Sequence, residues 1–180
     1  MNKRDFRNAQ IDRLTAHQLE TAEASAALLD KLVQSDVWQQ ARTIATTVSS
    51  PIEVATEPLI AAAQAAGKQV YLPKTMPHRQ MAFLPDPGPE QRITSAFGIP
   101  EPAYEAALQN QSVDLVIVPG IAFARDSHYR VGFGGGYYDR FLAQYPGHTV
   151  SLVAPVQLFD TAEWGVESFD IPLQQLITLD

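Results

Sequence analysis

Apolar positions along the chain change their period several times, and those changes outline the fold. After Thr15-Ala16-His17-Gln18, which has the form of a capping box, Leu19, Ala22, Ala26, Leu29 and Val33 recur at spacings of three and four. They predict a helix with one apolar face. Residues 3–13 predict a shorter helix carrying Lys3, Arg4, Arg7 and Arg13. Lys3 and Arg7 are four apart and so share one side of it. Residues 42–48 read as a strand, and Thr56-Glu57-Pro58 opens a helix that ends before Gly67. Residues 69–73 and 80–84 predict two more strands. Prolines crowd residues 73–102, which predicts loops with short extended pieces, and residues 101–108 predict a short helix. Asp114-Leu115-Val116-Ile117-Val118-Pro119 is a continuous apolar run bounded by turn residues, as expected of a strand buried on both faces. A helix from Tyr137 and strands at 149–154 and 175–179 complete the pattern.

Alternating strands and helices, with buried strands, predict an α/β fold: a single-domain open, mostly parallel sheet flanked by helices. No internal repeat or linker divides residues 1–180. Ligands of such sheets sit outside the carboxyl ends of the strands. That geometry would gather Ser49 to Glu53, Pro73-Lys74, and Pro119 through Asp139 around one cleft.

Composition narrows the chemistry. Hydrophobic residues make up 46% and charged residues 18%, a globular composition. The net charge of −7 argues against a general nucleic-acid partner, while leaving room for an anionic small molecule at local cations. With no cysteine, thiolate ligands, disulfides and cysteine nucleophiles are excluded. The four histidines have no metal-ligand spacing, and no Gly-x-Ser-x-Gly elbow is present. The N-terminus lacks the apolar core of a signal peptide, and no stretch approaches a membrane span. A cytoplasmic protein, a monomer or weak homodimer, is the expectation.

Residues 130–140 carry most of the information. Four of the 10 glycines fall within Gly132-Phe133-Gly134-Gly135-Gly136, between Arg130 and Arg140. Successive amides freed of side chains can form a nest for phosphate oxygens. A tight surface turn would need small residues too, but the flanking arginines and Asp139 favour phosphate with a metal counterion. The run matches neither the dinucleotide fingerprint, because Tyr137 stands where a glycine is required, nor the P-loop, because Gly67-Lys68 has Ala62 upstream and Gln69 downstream.

The pattern Arg-x-Gly-x-Gly-Gly-Gly-Tyr-Tyr-Asp-Arg after Val118-Pro119-Gly120 resembles the 5-formyltetrahydrofolate cyclo-ligase family. Lys3-x-x-x-Arg7, Glu53-x-x-Thr56, Leu72-Pro73-Lys74 and Phe97-Gly98-Ile99-Pro100-Glu101-Pro102 extend the resemblance over nearly the whole chain. It implies a NagB/RpiA/CoA-transferase-like fold, and conversion of 5-formyltetrahydrofolate to 5,10-methenyltetrahydrofolate with ATP and Mg²⁺. On that resemblance Lys3, Arg4 and Arg7 belong to the ATP site with Arg130, Val131, Gly132, Phe133, Gly134, Gly135, Gly136, Tyr137 and Tyr138. Val48, Glu53 and Tyr137 would contact folate, Asp139 and Asp170 would attend the metal, and Arg130, Tyr137 and Lys74 would act at the reacting groups. Ala55 departs from the pattern, because some relatives carry another acid there. A sugar-phosphate isomerase on a similar scaffold and a non-catalytic folate or nucleotide binder are the two other classes, and metal-dependent turnover separates them.

Overall fold

A computed structural model describes residues 2–180. Its elements in chain order are α1 (Lys3–Ala16), α2 (Gln18–Val33), α3 (Asp36–Gln40), β1 (Thr43–Ala45), α4 (Glu57–Ala65), β2 (Gln69–Met76), β3 (Gln80–Pro85), β4 (Ile93–Thr94), β5 (Pro100–Glu101), β6 (Leu115–Ile117), β7 (Ala122–Ala124), β8 (Arg130–Val131), α5 (Tyr137–Leu142), β9 (His148–Leu152), β10 (Leu158–Phe159) and β11 (Gln175–Ile177). Six strands form the main sheet in the order β11-β9-β6-β1-β2-β3. Every pairing in it is parallel except β2 with β3. β10, β7 and β8 make a small second sheet, and β4 with β5 a short hairpin. The α/β class and the mostly parallel sheet expected from the sequence are both present.

Period-two alternation along the strands assigns residues to two cores. Ile44, Val70, Leu72, Leu115, Ile117, Val150, Leu152 and Ile177 face one way, onto a core with Phe6, Leu14, Leu28, Leu32 and Leu59 from α1, α2 and α4. Ala45, Tyr71, Phe83 and Val116 face the other, onto Leu142 of α5 and Leu173. The helices therefore cover both faces, which is why β6 reads as an unbroken apolar run.

Several local expectations are corrected. The Thr15 capping box does not form: the Thr15 hydroxyl donates to the Ile11 carbonyl, α1 runs on to Ala16, and His17 takes the N-cap position of α2, its ring bonded to the Glu20 side chain rather than to the helix backbone. The buried face of α2 is Thr21, Ala24, Ser25, Leu28 and Leu32, whereas Leu19 is 81% exposed. Two small polar residues can be buried there because each finds a partner. Thr21 and Ser25 donate back to His17 and Thr21 carbonyls, and the Ser25 hydroxyl also accepts the Ala55 amide. The predicted helix at 101–108 is instead strand β5 followed by a single 3₁₀ turn at Ala106–Leu108. Pro102 biases Glu101 toward extended backbone. β2 does not stop at Pro73 but continues to Met76. β1 ends opposite Tyr71, so the missing N–H of Pro73 falls where the ladder to β1 has already ended.

This register makes a direct prediction. Leu28→Ala should cost about 2–5 kcal/mol, the usual cost of a buried leucine cavity. Leu19→Gln should stay within about 0.5 kcal/mol of the parent. Urea unfolding midpoints check both, and the opposite order would mean that α2 is rotated from the face described.

Candidate active site

The carboxyl ends of β1 and β6 open into a cleft lined by Thr46, Thr47, Ser49, Glu53, Pro119, Gly120 and Gln157. The loop after β1 fixes Glu53 through its own hydrogen bonds. The Ser50 amide donates to Glu53 Oε2 at 2.8 Å, and the Glu53 amide donates to the Ser50 carbonyl at 3.1 Å. Ser49 and Thr56 brace the loop reciprocally: each amide donates to the other's hydroxyl, at 2.8 and 3.0 Å. Burial raises the Glu53 pKa above its ordinary value, against the opposing pull of the Ser50 hydrogen bond.

The opposite wall is the loop through Pro119 and Gly120, held by two buried glutamines. Gln157 Nε2 donates to the Gly120 carbonyl at 2.9 Å, and Gln10 Nε2 donates to the Ile121 and Val156 carbonyls at 2.9 and 3.0 Å. Gln10 lies on the face of α1 that also carries Lys3, Phe6, Arg7 and Leu14. Phe6 and Leu14 are buried, and Phe6 packs against Trp164 with the rings tilted at 50° and 5.1 Å between centroids. One apolar stripe thus seats α1 and aims its two cations.

The glycine run leaves β8 and enters α5. Gly134 has φ +103° and Gly136 φ +72°, conformations that side-chain-bearing residues rarely adopt. Arg7 lies across the loop: its Nε donates to the Gly132 carbonyl at 2.8 Å, and a Cβ on Gly134 would stand 3.2 Å from its Cζ. A Cβ on Gly135 would meet the Tyr137 ring at 2.7 Å. The run is therefore short of side chains for two reasons, backbone conformation and close neighbours.

Beneath it Arg130 is buried, and among the described residues neither its Nε nor its Nη2 has a hydrogen-bond partner. The Asp139 carboxylate is near, 3.4 Å from Nη2, and the guanidinium lies 5.7 Å from the Tyr138 ring centroid. Burial pulls the Arg130 pKa below the usual arginine value, with Asp139, Tyr138 and Asp170 opposing. The Tyr138 hydroxyl is likewise buried without a partner among the described residues, and burial pushes its pKa up. Tyr138 senses the charges of both Arg130 and Glu53. Unpaired buried donors are costly in a finished interior. Here they belong to Arg130 and Tyr138, which flank the glycine run where the sequence anticipates an anion.

The remaining sequence-predicted residues divide. Lys3 Nζ donates to both oxygens of the buried Asp170, each at 2.6 Å, with Glu167 3.6 Å away. Asp139 Oδ1 accepts the Ile171 amide at 3.2 Å. Tyr137 is half-buried, 6.1 Å from Phe97 between ring centroids, and Val48 packs at the edge of the main core. Val131 is buried in β8, and Phe133 is exposed. Arg4 is exposed, with no hydrogen bond or ion pair among the described residues. Lys74 is paired with the buried Glu101 at 3.0 Å. Sequence reasoning gave no role to Gln10, Gln157 and Glu101. Only Glu101 left a trace, inside the Phe97–Pro102 segment.

Among the described residues no cluster of three or more His, Asp or Glu side chains could hold a metal alone. Asp139 fits a shared site: its Oδ2 accepts no hydrogen bond, and Mg²⁺ commonly takes one or two carboxylates plus substrate phosphate. Asp170 directs both oxygens at one cation, which here is the Lys3 ammonium.

Comparisons with known proteins place the chain in a family. The model of the 5-formyltetrahydrofolate cyclo-ligase family matches residues 2–178. A probable 5-formyltetrahydrofolate cyclo-ligase of Caenorhabditis elegans is 31% identical over 137 residues, 72% of this chain and 66% of that protein. The 5-formyltetrahydrofolate cyclo-ligase of Haemophilus influenzae is 31% identical over 176 residues, 91% of this chain and 89% of the relative. The solved structure of 5,10-methenyltetrahydrofolate synthetase from Aquifex aeolicus superposes with a TM-score of 0.81 at 28% identity, covering 99% of this chain and 90% of that one. The chain belongs to the 5-formyltetrahydrofolate cyclo-ligase family and is an enzyme of that family. No helix among the described residues is long and apolar enough to cross a membrane.

The buried carboxyl of Glu53 gives a pH prediction. Its folded pKa is raised, so the folded state holds the proton more tightly than the unfolded chain. The stability tied to that proton is full below the unfolded value of about 4.3 and is lost as pH rises through the folded value. Glu53→Gln keeps an acceptor for the Ser50 amide without the charge. It should melt higher than the parent at pH 7, the gap closing toward pH 4. A gap that does not change with pH would remove the carboxylate as its cause.

Proposed function

We propose that this chain closes 5-formyltetrahydrofolate to 5,10-methenyltetrahydrofolate at the expense of ATP, with Mg²⁺ as its metal and the cytoplasm as its compartment. The observation that carries the reading is the buried Arg130 guanidinium with two unpaired nitrogens under the glycine loop. Family membership supports the folate half of the reaction, and this cradle supports the phosphate half.

A formyl oxygen on N5 is a poor leaving group. Its attack on the γ-phosphorus forms an O–P bond, releases ADP and leaves an imidate phosphate. N10 then attacks the activated carbon, loses its proton, and the C–O bond breaks to expel inorganic phosphate. No covalent bond to the protein is required, so catalysis reduces to positioning and charge stabilisation. Arg7 and Lys3 from α1, the amides of the glycine run, and Arg130 would hold the phosphates. Arg130 gains most, because an anionic oxygen satisfies donors that otherwise stay unpaired. Bound Mg²⁺ would neutralise phosphate charge, with Asp139 as the ligand and Asp170 beside it. Glu53 on the far wall of the cleft would orient the folate, with Val48 and Tyr137 as apolar neighbours. Its raised pKa also suits it to share the N10 proton. Lys74 completes the cationic side at the edge of β2.

The direct test incubates the purified chain with 5-formyltetrahydrofolate, ATP and Mg²⁺ and follows the absorbance of the methenyl product. Product without ATP, or none with it, would end the proposal. Asp139→Asn keeps an acceptor for the Ile171 amide and should stay folded. Its half-saturating Mg²⁺ should rise by at least on the order of tenfold, since loss of an outer-shell partner alone costs that much. An unchanged magnesium titration would make Asp139 structural. Gly134→Val places a β-branched side chain at φ +103° against Arg7. A folded Gly134→Val variant should lose at least about tenfold in calorimetric ATP affinity, because such strain costs on the order of 1–3 kcal/mol where the loop must keep its shape. Retained affinity would place the phosphates elsewhere.

A further inference from the structure

Glu101 is 2% exposed, yet it is a carboxylate on a two-residue strand at the margin of the fold. Burying an ionised group there is expensive unless it is paired and hydrogen-bonded. Glu101 is both. Lys74 Nζ donates to its Oε2 at 3.0 Å, the Thr75 hydroxyl to its Oε1 at 2.9 Å, and the Thr75 amide to its Oε1 at 3.3 Å. These donors belong to the part of β2 that overhangs the end of β1, above the carboxyl edge of the sheet.

Glu101 ends a hairpin that begins at Ile93. Its tip is stiff. The Ser95 and Gly98 backbones close the turn, the Ser95 hydroxyl accepts the Phe97 and Ile99 amides, and Gly98 takes φ +76°. At that tip Phe97 is 63% exposed and stands edge-on to Tyr137 of the glycine loop. The hairpin thus bridges from Lys74 to Tyr137. Among the described residues its side-chain hydrogen bonds to the rest of the molecule are at its two ends. Arg92, just before it, bonds to Asp86 and Glu57, and Glu101 holds the other end.

Phe97 is not spent on the core: the arm, its base locked by a buried ion pair, holds the ring against Tyr137 beside the glycine run. We propose that Glu101 is a positioning residue: through Lys74 and Thr75 it sets the hairpin so that Phe97 and Tyr137 together confine the folate substrate. This rests on the cyclo-ligase reading above. Glu101 itself touches no substrate. Its carboxylate is saturated by protein donors, and it acts through the placement of Phe97.

The test is a kinetic cycle on the full chain with Glu101→Ala, Phe97→Ala and the double variant, supported by Glu101→Gln as the milder change. Phe97 is exposed, so Phe97→Ala should fold normally. Each single alanine variant should raise the KM for 5-formyltetrahydrofolate on the order of ten- to a hundredfold, the cost of a misplaced positioning element. Calorimetric ATP affinity should stay at the parent value. The double variant should be no worse than the poorer single one, because both remove the same contact. Glu101→Gln keeps one of the two accepting oxygens and sets an NH2 against the other donors, so it should recover part of the folate KM relative to Glu101→Ala. Additive losses, or a lowered melting temperature with folate KM unchanged, would reduce Glu101 to a structural pin. Should Glu101→Ala fail to fold, Phe97→Ala and Glu101→Gln decide: parental folate KM in Phe97→Ala overturns the proposal. Absence of turnover in the parent enzyme would instead overturn the reaction assignment, which keeps the two failures apart.

Discussion

An arginine side chain inside a protein retains its charge, so the surroundings must supply what water would have given. Arg130 receives little of it: Asp139 lies within Coulombic range but accepts no hydrogen bond from it, and two guanidinium nitrogens go without partners. Such a group is stable only if the scaffold around it is strong enough to hold it. β8 pairs with β7, the glutamines at 10 and 157 fix the adjoining loop, and Phe6 and Leu14 seat α1 over both. On the proposed mechanism that cost would be recovered when phosphate binds, because its oxygens would satisfy donors that lack partners. Much of the N-terminal helix, the small sheet and the glycine loop can be understood as the support for one unsatisfied cation.

The fold was legible where burial follows from periodicity, and the errors have physical causes. β6 was readable because both faces of the central strand are covered, which forces an unbroken apolar run. The face of α2 was misassigned because Thr21 and Ser25 are buried through hydrogen bonds, and a count of apolar residues cannot see a satisfied hydroxyl. The extent of β2 was missed because a proline inside a strand argues against it unless a neighbouring strand has already ended, and that is a fact of register. The hairpin at 93–101 has no periodicity at all. Its strands are two residues long, and its order comes from one serine hydroxyl, one glycine and a buried ion pair.

For the site, residue types that stand close in sequence were readable and residues that meet only in space were not. The glycine run declared itself by density, and Lys3 with Arg7 by a helical spacing that places them together. Glu101 with Lys74, and Gln157 with the Gly120 carbonyl, join residues 27 and 37 positions apart, and no local pattern announces them. Arg4 belongs to the same cationic segment as Lys3 and Arg7, and its side chain is exposed where theirs are partly buried.

The site is also what joins the two ends of the chain. Asp170 binds Lys3 of α1 and the Glu167 amide, while Asp139 of α5 accepts the Ile171 amide. The C-terminal turn is therefore fastened by the same carboxylates that the proposed mechanism assigns to the metal. A contact that closes the fold and a contact that serves the ligand compete for the same lone pairs. Asp170 cannot give both oxygens to Lys3 and also coordinate a second cation at full strength. On the proposed mechanism, a phosphate that drew Lys3 away would leave the buried Asp170 carboxylate without its positive partner, and a divalent cation bound with that phosphate would supply one. Ligand and metal binding would then be mutually reinforcing through ordinary charge balance, with no requirement for a large movement of the sheet.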